Sequence, residues 1–187
     1  MRELTLIVQT SLDGFVASPN GEFDKFVGGE ENLGFVCSIT EDADSILLGR
    51  ASYELLNTHW PSVENKPGAS TNEIKYSKWY NSAAKYVLST TLPNAKNANV
   101  ISKNLDTEIN RLKQQPGKTI LVFGSPTAVH YLFNFNLVDN FWMIVHPVIF
   151  GEGISFFRDR KNTIKLDLVA SKQLSNGTLC NKYSINK

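Results

Sequence analysis

Apolar runs of strand length alternate with segments of helical period from residue 3 to residue 135, and two consecutive strand patterns close the chain. This order constrains the fold because parallel strands need long crossovers, usually helices, whereas antiparallel neighbours need only a tight turn. Residues 3–9 form the first strand pattern, and 31–40 fit a short helix around Leu33, Val36 and Ile39. Ser45-Ile46-Leu47-Leu48 is a brief apolar run that meets Gly49 and gives way to a helical stretch, 50–57. Segment 58–72, with Pro61, Pro67 and Gly68, reads as a loop, followed by a helix over 73–83 and a strand at Tyr86-Val87-Leu88. Val100-Ile101 is a short strand candidate, and 104–114 is amphipathic through Leu105, Ile109 and Leu112.

Thr119–Phe123 is the clearest buried strand; it ends at Gly124, and Pro126 suits the first position of a helix over 126–135. Residues 141–149 form a further strand, and 164–174 pairs with 178–185 across Ser175-Asn176-Gly177, an Asn-Gly hairpin signal. The expectation is an α/β domain of three layers. Its mixed sheet is mostly parallel with an antiparallel C-terminal hairpin, and helices cover both faces. No linker or repeat divides residues 1–187, so one domain is expected.

Composition excludes several function classes. Hydrophobic residues make up 42% and charged residues 20%, with a formal charge of +1, which gives no concentrated basic surface for nucleic acid. Cys37 and Cys180 form no CxxC pair, so a reduced, intracellular setting fits. The N-terminus runs straight into a strand pattern without a signal peptide's apolar stretch, and no apolar run reaches the length of a membrane span. The expected setting is the cytoplasm, with no membrane partner. GxSxG, P-loop and HxE…PCxxC patterns are absent, and His59, His130 and His146 lack metal-ligand spacing. His146 alternates with apolar strand residues and reads as a satisfied core or interface histidine.

In open α/β sheets, ligands bind beyond the carboxyl ends of the strands, where helix starts offer free N–H groups and partial positive charge. Three such ends carry suitable residues. Gly49-Arg50-Ala51-Ser52 combines a tight turn, a cation and a hydroxyl; Ser89-Thr90-Thr91 supplies hydroxyls after a strand. Gly124-Ser125-Pro126-Thr127 puts a bare backbone at a helix start. Each alone also reads as a turn with an N-cap. Gly151-Glu152-Gly153 lacks the third Rossmann glycine and reads as a turn that lets the chain pass close to another segment. Asp13 in Asp13-Gly14 is a candidate for substrate binding or proton delivery, with a turn role as its alternative.

The segments Ser11–Ala17, Leu47–Glu54, Phe123-Gly124-Ser125 and Val138-Asp139 through His146–Gly153 resemble a known family. It comprises the stand-alone bacterial relatives of the reductase domain of riboflavin biosynthesis, within the dihydrofolate reductase-like group. The resemblance implies a homodimer that binds NADPH across the carboxyl edge of the sheet and reduces a small-molecule substrate. The family activity is 5-amino-6-(5-phosphoribosylamino)uracil reduction. It places Gly49, Arg50 and Ser52 at the adenosine phosphates, Ser89 and Thr90 at the 2′-phosphate, and Gly124, Ser125 and Thr127 at the pyrophosphate. The Asp13-Gly14 loop would border the nicotinamide and substrate. Dihydrofolate reductases carry Gly-Gly where this chain has Gly124-Ser125, and a helix carboxylate where this chain has Leu33, with Glu30 and Glu31 off register. A nucleotide-binding or sensing protein without turnover is the alternative reading. Apolar segments such as 141–150 are candidates for a subunit interface.

Overall fold

A computed structural model describes residues 1–157 and 163–185. Eight strands form one sheet. In chain order they are β1 (Leu4–Thr10), β3 (Ala43–Gly49), β4 (Ala84–Leu88), β5 (Asn99–Ile101), β6 (Thr119–Val122), β7 (Asn140–Val145), β9 (Leu166–Gln173) and β10 (Leu179–Ile185). The short strands β2 (Phe15–Ala17) and β8 (Ile154–Ser155) pair separately, antiparallel. Five helices connect the strands: α1 (Glu30–Thr40), α2 (Arg50–Val63), α3 (Thr71–Ser82), α4 (Leu105–Gln114) and α5 (Pro126–Asn134).

The spatial order is β5-β4-β3-β6-β1-β7-β10-β9. All neighbours from β5 to β7 run parallel, and β10 runs antiparallel to both β7 and β9. The expected mixed sheet with an antiparallel C-terminal hairpin is therefore present. Alternation along β1 explains the layers. Leu4, Leu6 and Val8 join Ile109, Leu112, Val129 and Leu132 of α4 and α5, while Ile7 joins Phe35, Tyr53, Tyr76 and Tyr80 of α1, α2 and α3.

Connections that step from β1 towards β5 use α1, α2 and α3 on one face; those that step back use α4 and α5 on the other. Right-handed crossovers require this segregation. At the adjacent carboxyl ends of β3, β6 and β1, the chain accordingly leaves to opposite faces, which opens a crevice between the helical layers.

Two boundaries and one pairing differ from expectation. Helix α2 continues through Pro61 to Val63 instead of ending at 57. Packing outweighs proline's propensity: Val63 is buried, the Trp60 ring lies 4.3 Å from Tyr76, and Ser77 of α3 donates to the Trp60 carbonyl and accepts from the Glu64 N–H. Strand β7 ends at Val145 because Pro147 has no N–H to continue the ladder. It also lies between β1 and β10, so both of its edges are paired within the sheet. The pairing of β2 with β8 was not anticipated. It forms where Gly153 passes close to the chain: a Cβ there would lie 2.4 Å from the Ala17 carbonyl oxygen, in keeping with the close approach read from Gly151-Glu152-Gly153. No helix among the described residues is long and apolar enough to cross a membrane.

Candidate active site

The crevice is a cleft of about 710 Å³, within the usual range for small-molecule sites. Its floor is Leu6–Gln9 of β1. One wall is Ala51, Ser52, Leu55 and Leu56 of α2, and the other is Phe123–Pro126 with Val129. Val16 and Ala17 of β2, Ile154, Phe156, and Phe23 and Phe26 from the loop before α1 close the remaining side. The lining is apolar apart from three polar side chains, Gln9, Ser52 and Ser125, and none of the described lining residues is ionisable.

Two helix starts meet at this cleft. Gly49 N–H donates to the Gly124 carbonyl at 2.9 Å, which ties the β3–α2 turn to the β6–α5 turn. Gly49 has ordinary extended backbone angles (φ −75°, ψ 161°), so its requirement is steric. A Cβ there would lie 2.5 Å from Ser125 Oγ and 3.0 Å from its backbone N. Gly124 sits at φ +63°, with a cis peptide to Ser125, and faces the Ser52 hydroxyl. Neither α2 nor α5 has a side-chain cap or an acidic residue in its first turn. The first-turn N–H groups therefore have no side-chain cap, and the partial positive charge of each helix start is uncompensated by an acidic residue of its own first turn.

The structure brings Gly49, Ser52, Gly124 and Ser125 together. Arg50 follows Gly49 but does not line the cleft; its side chain is about half exposed and, among the described residues, lies 3.9 Å from Glu54 as a surface ion pair. Ser89 and Thr90 follow β4 on the same sheet edge, one strand beyond Gly49, but outside the cleft lining. Ser89 Oγ accepts from the N–H groups of Thr91 and Leu92, closing a local turn. Thr127 is exposed on the first turn of α5 and also does not line the cleft.

Asp13 does not join the cleft lining. Its exposed carboxylate accepts from the N–H groups of Gly151 (2.8 Å) and Phe150 (3.1 Å), tying the loop after β1 to the one after β7. The Ser11 hydroxyl, with those two N–H groups, holds its pKa down to about 2, so it carries no proton to deliver at neutral pH. In this geometry the carboxylate links two loops. The helix carboxylates are also engaged elsewhere: Glu30 accepts from Ser70 and Asn72 at the start of α3, and Glu31 from Ser175 in the hairpin turn. Leu33 packs with the α1–α3 core.

Gln9, Phe23, Phe26 and Phe156 were missed. Gln9 alone had a signal, as a polar residue following the apolar run Leu6–Val8 inside the first strand pattern. Behind it, His146 is fully buried, as expected of a satisfied core histidine: Nδ1 lies 2.9 Å from the Val27 carbonyl and Nε2 2.9 Å from Gln9 Oε1.

The model of the RibD C-terminal domain family matches residues 2–180. The chain belongs to the RibD C-terminal domain family. One relative within reach, the uncharacterized protein YyaP of Bacillus subtilis (strain 168), is 33% identical over 186 residues, covering 99% of this chain and 96% of its own. Among solved structures, a pyrimidine reductase-like protein from Corynebacterium diphtheriae superposes with a TM-score of 0.69 at 15% identity, covering 100% of this chain and 92% of that one. Dihydrofolate reductase from Enterococcus faecalis, solved with NADP(H), gives 0.68 at 15% identity, covering 99% and 97%. This member of the RibD C-terminal domain family thus has the dihydrofolate reductase-like fold. No carboxylate stands among the described residues that line its cleft.

Proposed function

We propose that this domain is an NADPH-dependent reductase that delivers hydride to a small, planar, polar heterocycle, within reach of 5-amino-6-(5-phosphoribosylamino)uracil-like pyrimidines. The observation that carries this reading is the pair of uncapped helix starts, locked together through Gly49 and Gly124, at the mouth of an apolar cleft. Residues 49–52 and 124–127 fit phosphates, because side chains that would fill the space are missing and the free N–H groups converge there. Bound NADPH would supply the hydride. Ser52 and Ser125 would hold the cofactor's polar groups, and Arg50 with Ser89 and Thr90 would meet the 2′-phosphate. The Phe23, Phe26, Phe123 and Phe156 rings would exclude water around the reacting atoms.

The cleft wall offers no acid among its described residues, so the proton that accompanies hydride comes from solvent or is already on the substrate. A C=N group, basic enough to be protonated in water, suits such a site better than a C=O group that needs an acid at the moment of transfer. The same absence favours a second reading, nucleotide binding without turnover. Nicotinamide oxidation over a panel of heterocycles separates the two.

A homodimer in the cytoplasm accompanies the first reading. The second copy would cover β9, an unpaired sheet edge whose residues are all exposed, among them Leu168 and Val169.

The test is a titration of the purified protein with NADPH and NADH, followed by Trp fluorescence and thermal shift. Saturable binding that favours NADPH is the expected result, with Arg50→Ala narrowing the preference by about tenfold, the worth of one charge-assisted phosphate contact. Binding of neither nucleotide would remove the reductase reading.

A further inference from the structure

Gln9 is the one polar side chain on the floor of the cleft, and it is exposed there. One end of its amide is spent on His146 Nε2, and the other has no protein partner among the described residues. Which end faces the ligand follows from His146. A carbonyl oxygen can only accept, so the 2.9 Å contact to Val27 places a hydrogen on Nδ1. In the neutral ring Nε2 is then a lone pair, and Gln9 must present its NH₂ group to it. In the cation Nε2 donates to Gln9 Oε1, and the NH₂ group faces the cleft instead. Gln9 Oε1 is placed 2.9 Å from Nε2, where a neutral ring offers only a lone pair; two acceptors cannot pair, so with the ring neutral the two ends of the amide exchange places, as their hydrogen-bond partners require.

From this geometry, and resting on the reductase reading, we propose that Gln9 is the residue that selects the substrate and that His146 is its positioning residue. With the ring neutral, Gln9 holds its carbonyl oxygen to the cleft and so takes a ligand that offers an N–H donor, a lactam or ring-amino edge. Burial keeps the ring neutral by lowering its pKa, opposed by the Val27 contact. Phe26 stacks on the ring at 4.7 Å, and Phe150 lies behind Phe26. Of the charged groups on these packed segments, Lys25 has its ammonium 5.8 Å from the Phe150 ring and Asp13 is bonded to the Phe150 N–H. The others are Glu22, Asp24 and Glu152, all on the surface side of the same loops, and none of the five makes an ion pair or hydrogen bond to the imidazole among the described residues.

The experiment uses the intact protein saturated with NADPH, with uracil and 1,3-dimethyluracil as probes that differ in N–H donors, and ¹⁵N NMR of His146 and the Gln9 amide. The expected result is the Nδ1–H form of His146 at neutral pH and uracil binding at least tenfold tighter than its methylated partner. Gln9→Met abolishes that difference, whereas Gln9→Glu, which keeps an acceptor, retains it. The difference also fades as pH falls through the His146 titration. An Nε2–H or cationic ring at neutral pH, equal binding of the two probes, or no uracil binding by a protein that binds NADPH would each overturn the proposal. Loss of NADPH affinity in Gln9→Met as large as the loss for uracil would move the contact to the cofactor's own carboxamide and overturn it too. Failure to bind NADPH at all would count against the reductase reading instead, while the His146 tautomer would still decide the amide's orientation.

Discussion

Substitution of Gly49 by Ala isolates the contact on which the candidate cofactor site depends. The backbone there accepts any residue, so no conformational strain enters and the added methyl group acts through space alone. That methyl would meet Ser125 Oγ at 2.5 Å, Ser125 N at 3.0 Å and the Ala128 Cβ at 3.3 Å. The hydroxyl can swing away about χ1. The backbone nitrogen cannot, because its turn is held by the Gly49 N–H to Gly124 carbonyl bond and by the first turn of α5. The start of α5 must therefore move off β3 by a few tenths of an ångström. Overpacking of this kind costs about 1–3 kcal/mol. If the displaced N–H groups are those that hold phosphate, a comparable loss in binding is roughly 5- to 140-fold in Kd.

Urea unfolding and NADPH titration on the same preparations read the two effects separately. Ser125→Gly in the Gly49→Ala background removes the shortest contact but not the backbone one, so it should recover part of the loss and not all of it. Full recovery would mean that the hydroxyl alone was the obstacle. An NADPH affinity unchanged in Gly49→Ala, with stability reduced, would refute the claim that these two turns form the phosphate site.

Two further outcomes follow from buried and tied charges. Lys113 is fully buried, 2.6 Å from Asp139 and 3.0 Å from the Leu137 carbonyl, so Lys113→Met should cost about 3 kcal/mol in urea unfolding, and adding Asp139→Asn should restore part of it. A loss below about 1 kcal/mol in the single variant would show that the pair behaves as a surface ion pair. For Asp13, the folded pKa lies below the ordinary carboxylate value, so its tie to residues 150–151 is intact above about pH 4 and is lost only as pH falls through about 2. The amide resonances of Phe150 and Gly151 should keep their neutral-pH positions at about pH 3; a midpoint near 4 would show the carboxylate to be untied.

The layers were legible because they follow from local patterns: apolar runs that stop at Gly49 and Gly124, and an Asn-Gly turn that commits 164–185 to a hairpin. Helix α2 beyond Asn57 was not legible, because Pro61 argues locally for a stop. What keeps the helix going is a hydroxyl on Ser77, in another helix. Tertiary partners of this kind leave no periodic trace in the segment they stabilise. The same holds for Asp139, whose carboxylate accepts from the Leu4 N–H, at the start of a strand far away in sequence, while its charge meets Lys113. No local pattern marks such a residue apart from its neighbours.

The candidate site divides along the same line. Its phosphate end was readable because backbone makes it: a glycine after a strand and a helix after the glycine are sequence facts, and the sheet edge gathers them wherever the strands lie side by side. Its substrate end was not, because side chains from several separate segments make it, and their meeting depends on how the loops close. Asp13 shows the difficulty. A charged residue in a turn near the expected site attracts a chemical role, and only the structure shows that its carboxylate also ties two loops together. Gln9 shows the converse. An uncharged residue at the end of a strand attracts none, until a buried histidine is found to dictate which of its atoms faces the cleft. Where a cleft wall carries no ionisable group, recognition rests on the orientation of neutral dipoles, and orientation is set by the neighbours behind them.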